Sequence, residues 1–262
     1  MPRATDRRHF LKSTAALAAL AAFRPRLSSA GTRKTAVAFP MLPRELTLLE
    51  RFRLAANAGF SGIEMWTLED PSEAEQIHHA AERTGLRIHS VVNDPRRRFP
   101  LSSANPDVVR QGVAGIETSL RNARFWGADT VSITPTAAEP GTSYQDAWNR
   151  SQNVIREHIL PLARNACITL AIEDVWDGFV LGPPEVARYV DAFGSPWAKA
   201  CFDTSRAVFY AGPEDWIRIL GSRLVKVRAR SIEEIDLNRG KLRMALEDAA
   251  FDGWVTADTF PI

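Results

Sequence analysis

Short apolar segments alternate with longer amphipathic ones from residue 35 to residue 258, and this alternation most constrains the fold. Each short segment is typical of a buried strand, and the stretches between them carry apolar residues at helical spacing. The predicted strands are 35–42, 62–66, 87–93, 130–135, 169–175, 198–205, 223–231 and 253–258. Eight strands alternating with helices in about 230 residues predict an α/β chain folded as a (β/α)8 TIM barrel.

The rival architecture is a doubly wound open sheet. No glycine-rich phosphate fingerprint follows the first strand, so a dinucleotide-binding fold has little support. The sequence stops four residues after Asp258, where the last strand should be followed by a helix. We therefore expect a TIM barrel whose last helix is missing or truncated.

The first 30 residues have the pattern of an export signal. Arg7 and Arg8 precede Phe10-Leu11-Lys12, an uncharged Ala/Leu run extends over 13–23, and small residues occupy 28–30. A charged start, a short apolar run and a small-residue cleavage site are typical of a signal peptide, and the run is too short to cross a bilayer. The twin arginines favour the Tat pathway. We predict a Tat signal over 1–30, a barrel domain over 31–262, and a periplasmic or secreted protein that meets the Tat export machinery.

Charge argues against a nucleic-acid partner. The whole chain has 33 basic and 31 acidic residues, and residues 1–30 contain six of the basic residues and one acid. Without that segment 27 basic and 30 acidic residues remain, so the barrel domain is slightly acidic. We expect no nucleic-acid partner and no stable membrane span.

Polar residues stand where the predicted strands end, and in a TIM barrel the chemistry gathers at those ends. The strand-end residues are Glu64, Asn93, Thr134, Glu173, Asp203, Arg228 and Asp258. Any one carboxylate could cap a helix or pair with an arginine, but four at one mouth would repel each other. We therefore expect a positive group there: a divalent metal, arginines, or both. Oxygen ligands would suit Mn²⁺ or Mg²⁺.

The stretch that begins LAIEDVWDGF at residue 170 and extends through CFDTSRAVFYAGPEDW to VKVRARS at 225–231 resembles the sugar phosphate isomerase/epimerase family, the xylose isomerase-like TIM barrels. The segments GFSGIEMW and RQGVAGIETSLRNARFWGADTV are similar to it too. The resemblance covers most of the chain after residue 30. It implies isomerisation of an aldose and a ketose, or epimerisation next to a carbonyl, in carbohydrate metabolism.

The resemblance also implies roles for the carboxylates. Members hold one divalent metal with a Glu, an Asp, a His and a second Glu, and three of these fall on Glu173, Asp203 and Asp258. The metal would polarise the oxygens of the substrate. Glu173 would remove a proton from carbon to give an enediolate, and Asp258, one methylene shorter than the family's glutamate, would return it.

The fourth ligand is where the sequence departs from the family. The histidine of the family's V-H-V-K-D strand falls on Arg228, and Arg206 stands where relatives carry Asn or His. Arginine has no lone pair to give a metal. Two expectations follow. Guanidinium groups take the place of the metal and pair with the carboxylates, or Arg228 points away and water completes a weakened shell around Mn²⁺, Mg²⁺, Co²⁺ or Zn²⁺.

The remaining strand-end residues are candidates for binding substrate, namely Glu64, Trp66, Asn93, Trp176, Arg206 and Arg228. The two tryptophans could stack on a sugar ring or simply pack over the barrel. Export favours a free sugar or sugar acid over a phosphorylated one. We expect an exported isomerase or epimerase with a degraded metal site. The alternative is an inactive barrel that binds a carbohydrate or an anionic small molecule. A nuclease is set aside because the histidine-rich zinc cluster it needs is absent from the sequence.

Overall fold

Eight parallel strands close into a barrel in the computed structural model, which describes residues 34–93, 99–135, 141–173, 179, 182–205, 212–229 and 241–258. Each strand pairs in parallel with the next along the chain, and β8 pairs with β1. The strands are β1 Lys34–Ala38, β2 Gly62–Trp66, β3 Arg87–Val92, β4 Thr130–Ile133, β5 Thr169–Glu173, β6 Ala198–Asp203, β7 Leu224–Ala229 and β8 Trp254–Ala257. The predicted TIM barrel is confirmed.

Helices follow the strands around the outside. They are α1 Leu48–Asn57, α2 Pro71–Thr84, α3 Pro106–Trp126, α4 Tyr144–Val154, α5 Leu160–Ala166, α6 Pro183–Asp191, α7 Pro213–Leu220 and α8 Lys241–Asp248. A π-helical turn, Ile155–Ile159, joins α4 to α5 in one continuous run. Pro161 explains this turn, since proline has no N–H for the ordinary helical bond and forces the preceding carbonyls to adjust.

Local sequence sets the helix ends. Thr47 and Glu50 form a reciprocal capping box at the start of α1, which satisfies two N–H groups that the helix itself leaves open. Asp70 and Asn105 cap α2 and α3 through side-chain oxygens, each just before a proline. Both helices end at a glycine in the left-handed region, Gly85 with φ 71° and Gly127 with φ 69°, a conformation that costs glycine little.

The apolar core lies between the strands and the helices. Outward side chains such as Val37, Ile63, Val131 and Val227 are completely buried there. Neighbours of these residues in the strands face the barrel interior, because side chains alternate along a strand. Several of those inward residues are polar, and they form the candidate site.

Two irregularities in strand pairing decide which side chains face inward. Ile88 pairs with Ile63 and Ser90 with Glu64, so His89 is an extra residue in β3. Leu224 pairs with Ala200 and Lys226 with Cys201, so Val225 is an extra residue in β7. Such bulges re-aim side chains and are frequent beside active sites.

Some sequence predictions fall outside the described residues. The export signal over 1–30 and the end of the chain after Asp258 are among them, so the signal and the missing last helix stay predictions. Within the described ranges, no helix is both long and apolar enough to cross a membrane.

Candidate active site at the barrel mouth

Arg228 occupies the centre of the mouth. Its Nη2 lies 2.9 Å from Glu64 Oε1 and 3.2 Å from Glu173 Oε1, and its Nε lies 3.4 Å from Asp258 Oδ2. These carboxylates come from β2, β5 and the end of β8, so one guanidinium joins three separate parts of the barrel. The side chains of Arg228, Glu173 and Asp258 are 6%, 9% and 8% exposed. Arg228 therefore points into the mouth and pairs with the carboxylates there.

A second cation, Lys226, lies one layer deeper. Its Nζ donates to Glu64 Oε2, to Ser90 Oγ at 3.1 Å and to Ser132 Oγ. The partners belong to β2, β3 and β4, which are at least three strands away from β7 around the barrel, so the contacts cross the interior. Lys226 and Arg228 are two residues apart and share the inward face of β7 because side chains alternate.

The charges shift the pKa values of the carboxylates in different directions. Burial alone would raise the pKa of Glu64, but Arg228 and Lys226 outweigh it and hold that pKa far below its ordinary value. Burial raises the pKa of Asp258 to about 6, and the counter-charge of Arg228 only partly offsets this. Burial would lower the pKa of Arg228, but Glu173, Glu64 and Asp258 raise it well above its ordinary value. Glu64 and Arg228 are therefore charged at neutral pH, whereas Asp258 can carry a proton there.

An aromatic pair lies inside the barrel, with His89 on β3 and Trp254 on β8. The His89 ring stacks on Trp254 at 4.5 Å, and its Nε2 hydrogen-bonds with Thr256 Oγ1 at 3.1 Å. Gly62 leaves room for this indole, since a Cβ there would lie 2.5 Å from the Trp254 ring. Burial lowers the pKa of His89 to about 3, although Glu64 favours the charged form. His89 is therefore a neutral part of the interior at physiological pH.

The other predicted residues occupy different places. Asp203 is the pairing partner of Arg228 on β6, and its Oδ1 accepts from the Ser205 N–H at 2.9 Å. Trp66 lies two residues after Glu64, on the inward face of β2, and remains partly exposed at the mouth. Asn93 is not in the group, because its Oδ1 accepts from Ser119 Oγ at 3.2 Å on α3, outside the barrel. Trp176 and Arg206 lie outside the described residues.

Sequence reasoning missed Lys226, Ser90, Ser132 and the inward position of His89. These residues lie inside strands, whereas functional side chains of a TIM barrel are expected at the strand ends. A usable signal existed for Lys226: a lysine two residues before Arg228 in an apolar strand must share its face. Ser90 has no such signal, since only the bulge at His89 turns it inward.

The donor set at the mouth does not fit a divalent metal. Arg228 lies between Glu173 and Asp258, where a shared ion would have to sit, and guanidinium offers no lone pair. Within the described ranges, no three His, Cys, Asp or Glu side chains are grouped so as to hold a metal ion.

This barrel, with carboxylates at the strand ends, belongs to a defined class. The family model described as "Xylose isomerase-like TIM barrel" matches residues 52–261, and the chain belongs to that family.

Individual relatives are more distant. The L-ribulose-5-phosphate 3-epimerase UlaE of Escherichia coli O1:K1 / APEC is 26% identical over 169 residues, which cover 60% of this chain and 58% of that protein. The chain thus spans less than two thirds of the length of this curated relative. D-psicose 3-epimerase from Clostridium cellulolyticum H10, solved with D-tagatose, superposes with a TM-score of 0.74 at 17% identity, covering 87% of this chain and 85% of that one.

A third similar structure bears a different functional name. An AP endonuclease, family 2, from Brucella melitensis has a TM-score of 0.72 at 20% identity, covering 88% of this chain and 94% of that one. At these identities the similarity of the solved structures establishes the fold alone. The side chains at the mouth, and not the fold, determine the chemistry.

Proposed function

We propose that this protein is a sugar epimerase or isomerase that moves a proton on the carbon next to a sugar carbonyl. One observation carries the proposal: Glu173 and Asp258, from β5 and the end of β8, contact the same guanidinium at the mouth, at 3.2 and 3.4 Å. Two carboxylates from separate strands beside one fixed cation can serve proton removal and return through an enediolate. The names of the epimerase relatives agree with this chemistry.

Glu173, Asp258 and Arg228 each have a different role in the proposed reaction. Glu173, on β5, removes the proton from carbon. Asp258 returns a proton to the intermediate, and its pKa of about 6 allows it to hold one near neutral pH. Arg228 supplies a positive charge that does not dissociate, beside the position where negative charge develops on the substrate oxygen. In the proposal Arg228 replaces the divalent metal that the family resemblance implies, and the reaction is metal-independent.

The substrate in this proposal is a free sugar or sugar acid. A protein exported with the Tat signal proposed for residues 1–30 would meet few phosphorylated metabolites. Trp66, inward and partly exposed at the mouth, offers an aromatic face to a sugar ring. Fractionation of cells that express the whole chain tests the export, and substitution of Arg7 and Arg8 by Lys should retain the protein in the cytoplasm.

Deuterium exchange tests the reaction. The chelator-treated protein is incubated in D₂O with D-fructose, D-tagatose, L-ribulose or L-ribulose 5-phosphate, and loss of the C–H signal beside the carbonyl is followed by ¹H NMR. We expect exchange with a free ketose and loss of that exchange in Glu173→Gln. The control Glu82→Gln should exchange like the wild type, since the Glu82 side chain is 60% exposed on α2. Exchange that appears only after Mn²⁺ is added would contradict the metal-independent form.

A second candidate function rests on the burial of the paired charges at the mouth. Arg228 is already surrounded by three carboxylates, and all of these side chains are less than a tenth exposed. Such a site could bind a carbohydrate or an anionic small molecule without turning it over. Binding of a ketose by calorimetry without any deuterium exchange would favour this inactive barrel.

A further inference from the structure

Lys226 has no proton left for a substrate. An ammonium group has three N–H donors, and here they meet Glu64 Oε2, Ser90 Oγ and Ser132 Oγ. The side chain is 1% exposed and lies below the mouth. Its effect on the chemistry must therefore pass through the residues that it contacts.

Glu64 connects Lys226 to the mouth. One oxygen of its carboxylate, Oε2, faces Lys226, and the other, Oε1, accepts from Arg228 Nη2 at 2.9 Å and Nε at 3.2 Å. Because two nitrogens of Arg228 donate to the same oxygen, both the position and the tilt of the guanidinium are restricted. The same two nitrogens are those that approach Glu173 and Asp258.

The charge balance assigns a second effect to the lysine. Glu64 carries one negative charge, and Lys226 neutralises it inside the barrel. The positive charge of Arg228 is then left for Glu173, Asp258 and a substrate oxygen. Without Lys226, the full negative charge of Glu64 would act on Arg228, and less of the positive charge of Arg228 would act on a substrate oxygen.

We propose that Lys226 is a positioning residue for the reaction: through Glu64 it fixes the Arg228 guanidinium between Glu173 and Asp258 and leaves the positive charge of Arg228 to the mouth. The inference rests on the proposed function for the reaction itself, but not for the position of Arg228. Stability alone is a weak reason for such a buried pair, since well-packed apolar side chains can often replace one without loss.

The experiment compares three variants of the whole protein. Lys226→Met keeps the approximate volume of the side chain and removes its charge. Because this leaves Glu64 without its counter-charge and can prevent folding, Lys226→Met with Glu64→Gln removes both charges together. Lys199→Met is the matched control, since its ammonium bonds the Ser222 carbonyl at 3.0 Å on the surface.

Two readouts are measured on each variant. The first is the steady-state rate of deuterium exchange on the ketose that the wild type turns over, separated into kcat and KM. The second is solvent exchange of the Arg228 Nε proton by ¹⁵N NMR, with the signal assigned by its loss in Arg228→Lys. This second readout needs no substrate.

We expect Lys226→Met to lower kcat by about 10²–10³-fold, as for the loss of one preorganised charge-stabilising donor, with KM within about threefold. The double variant should lose less kcat, because a neutral residue 64 leaves the charge of Arg228 to the mouth. In both lysine variants we expect the Arg228 Nε proton to exchange at least about tenfold faster than in wild type or Lys199→Met, because a fixed, buried donor is protected. An unchanged kcat, or a lost kcat with Arg228 still protected, would overturn the positioning role.

The two proposals fail separately. If the wild type exchanges no deuterium into any of the sugars, the proposed function fails, and the Arg228 proton still decides the positioning role. Faster exchange in the lysine variants then supports it, and equal exchange in all variants refutes it.

Discussion

Replacing Arg228 by Met should be one of the most destabilising single changes in this barrel. The substitution leaves Lys226 to balance Glu64, but it removes the counter-charge that lies 3.2 Å from Glu173 and 3.4 Å from Asp258. At an effective dielectric constant of about 20, each of those attractions is about 5 kcal/mol before desolvation is subtracted. Removing one partner from a buried ion pair has a net cost of about 3–5 kcal/mol.

The assay is thermal and urea unfolding of Arg228→Met beside a matched control, Arg223→Met. Arg223 makes two short bonds to Asp191, at 2.6 and 2.8 Å, but its side chain is 36% exposed. The control should lose about 1 kcal/mol or less. For a domain of this size, the loss in Arg228→Met corresponds to a Tm lowered by roughly 6–20 °C.

The pH dependence gives a second check on the same variant. Arg228 lowers the pKa of Asp258, which burial raises to about 6. Without the guanidinium that pKa should rise further, so protonation relieves the repulsion at lower pH. The deficit of Arg228→Met should therefore shrink between pH 7 and pH 5. A deficit no larger than that of Arg223→Met, or one that is equal at both pH values, would refute the placement of Arg228 among ionised carboxylates.

Four further outcomes are expected. The folded pKa of Asp258, about 6, lies above its ordinary 3.8, so the stability of wild type relative to Asp258→Asn should fall by up to about 3 kcal/mol as the pH rises from about 4 to 6; parallel curves in urea titrations would disprove this. Glu173→Gln should slow deuterium exchange by about 10²–10⁴-fold while calorimetry still detects ketose binding. Ser132→Ala should cost about 1–3 kcal/mol in urea unfolding, because one N–H of Lys226 loses its acceptor; an unchanged midpoint would argue against that bond. Arg228→His should produce a rise in Tm that grows with Mn²⁺ concentration, because imidazole brings a lone pair and removes the fixed charge; equal curves with and without Mn²⁺ would count against the carboxylates as ligands.

The fold could be predicted from the sequence because parallel strands buried on both faces are nearly continuous apolar runs. GIEMW at 62–66 was bounded correctly, since polar or glycine-rich residues flank it on both sides. The first strand was predicted too long, over 35–42. It ends at Ala38 because a short 3-10 turn with Pro40 in it, Phe39–Met41, follows, and the apolar pattern alone does not reveal this turn.

The site could be predicted only in part. Glu173, Arg228 and Asp258 were found because strand ends of a barrel converge by geometry alone. Asn93 was wrongly predicted to face the mouth. Because His89 is an extra residue, both His89 and Ser90 face inward, and the inward–outward alternation of the side chains after them is displaced by one residue. Asn93 therefore faces α3. A bulge depends on pairing with the neighbouring strand, and no local pattern encodes it.

The contacts of Lys226 also bear on how the chain assembles. They join residues separated by 162, 136 and 94 positions, so the first half of the polypeptide cannot complete its interior until the seventh strand has been synthesised. In a nascent chain that ends before the seventh strand, Glu64 would have to stay hydrated. The early strands could therefore not close around it. Pairings this remote in sequence form slowly. If the proposed Tat export holds, closure of this ionic interior must come before export, because the Tat route carries folded proteins.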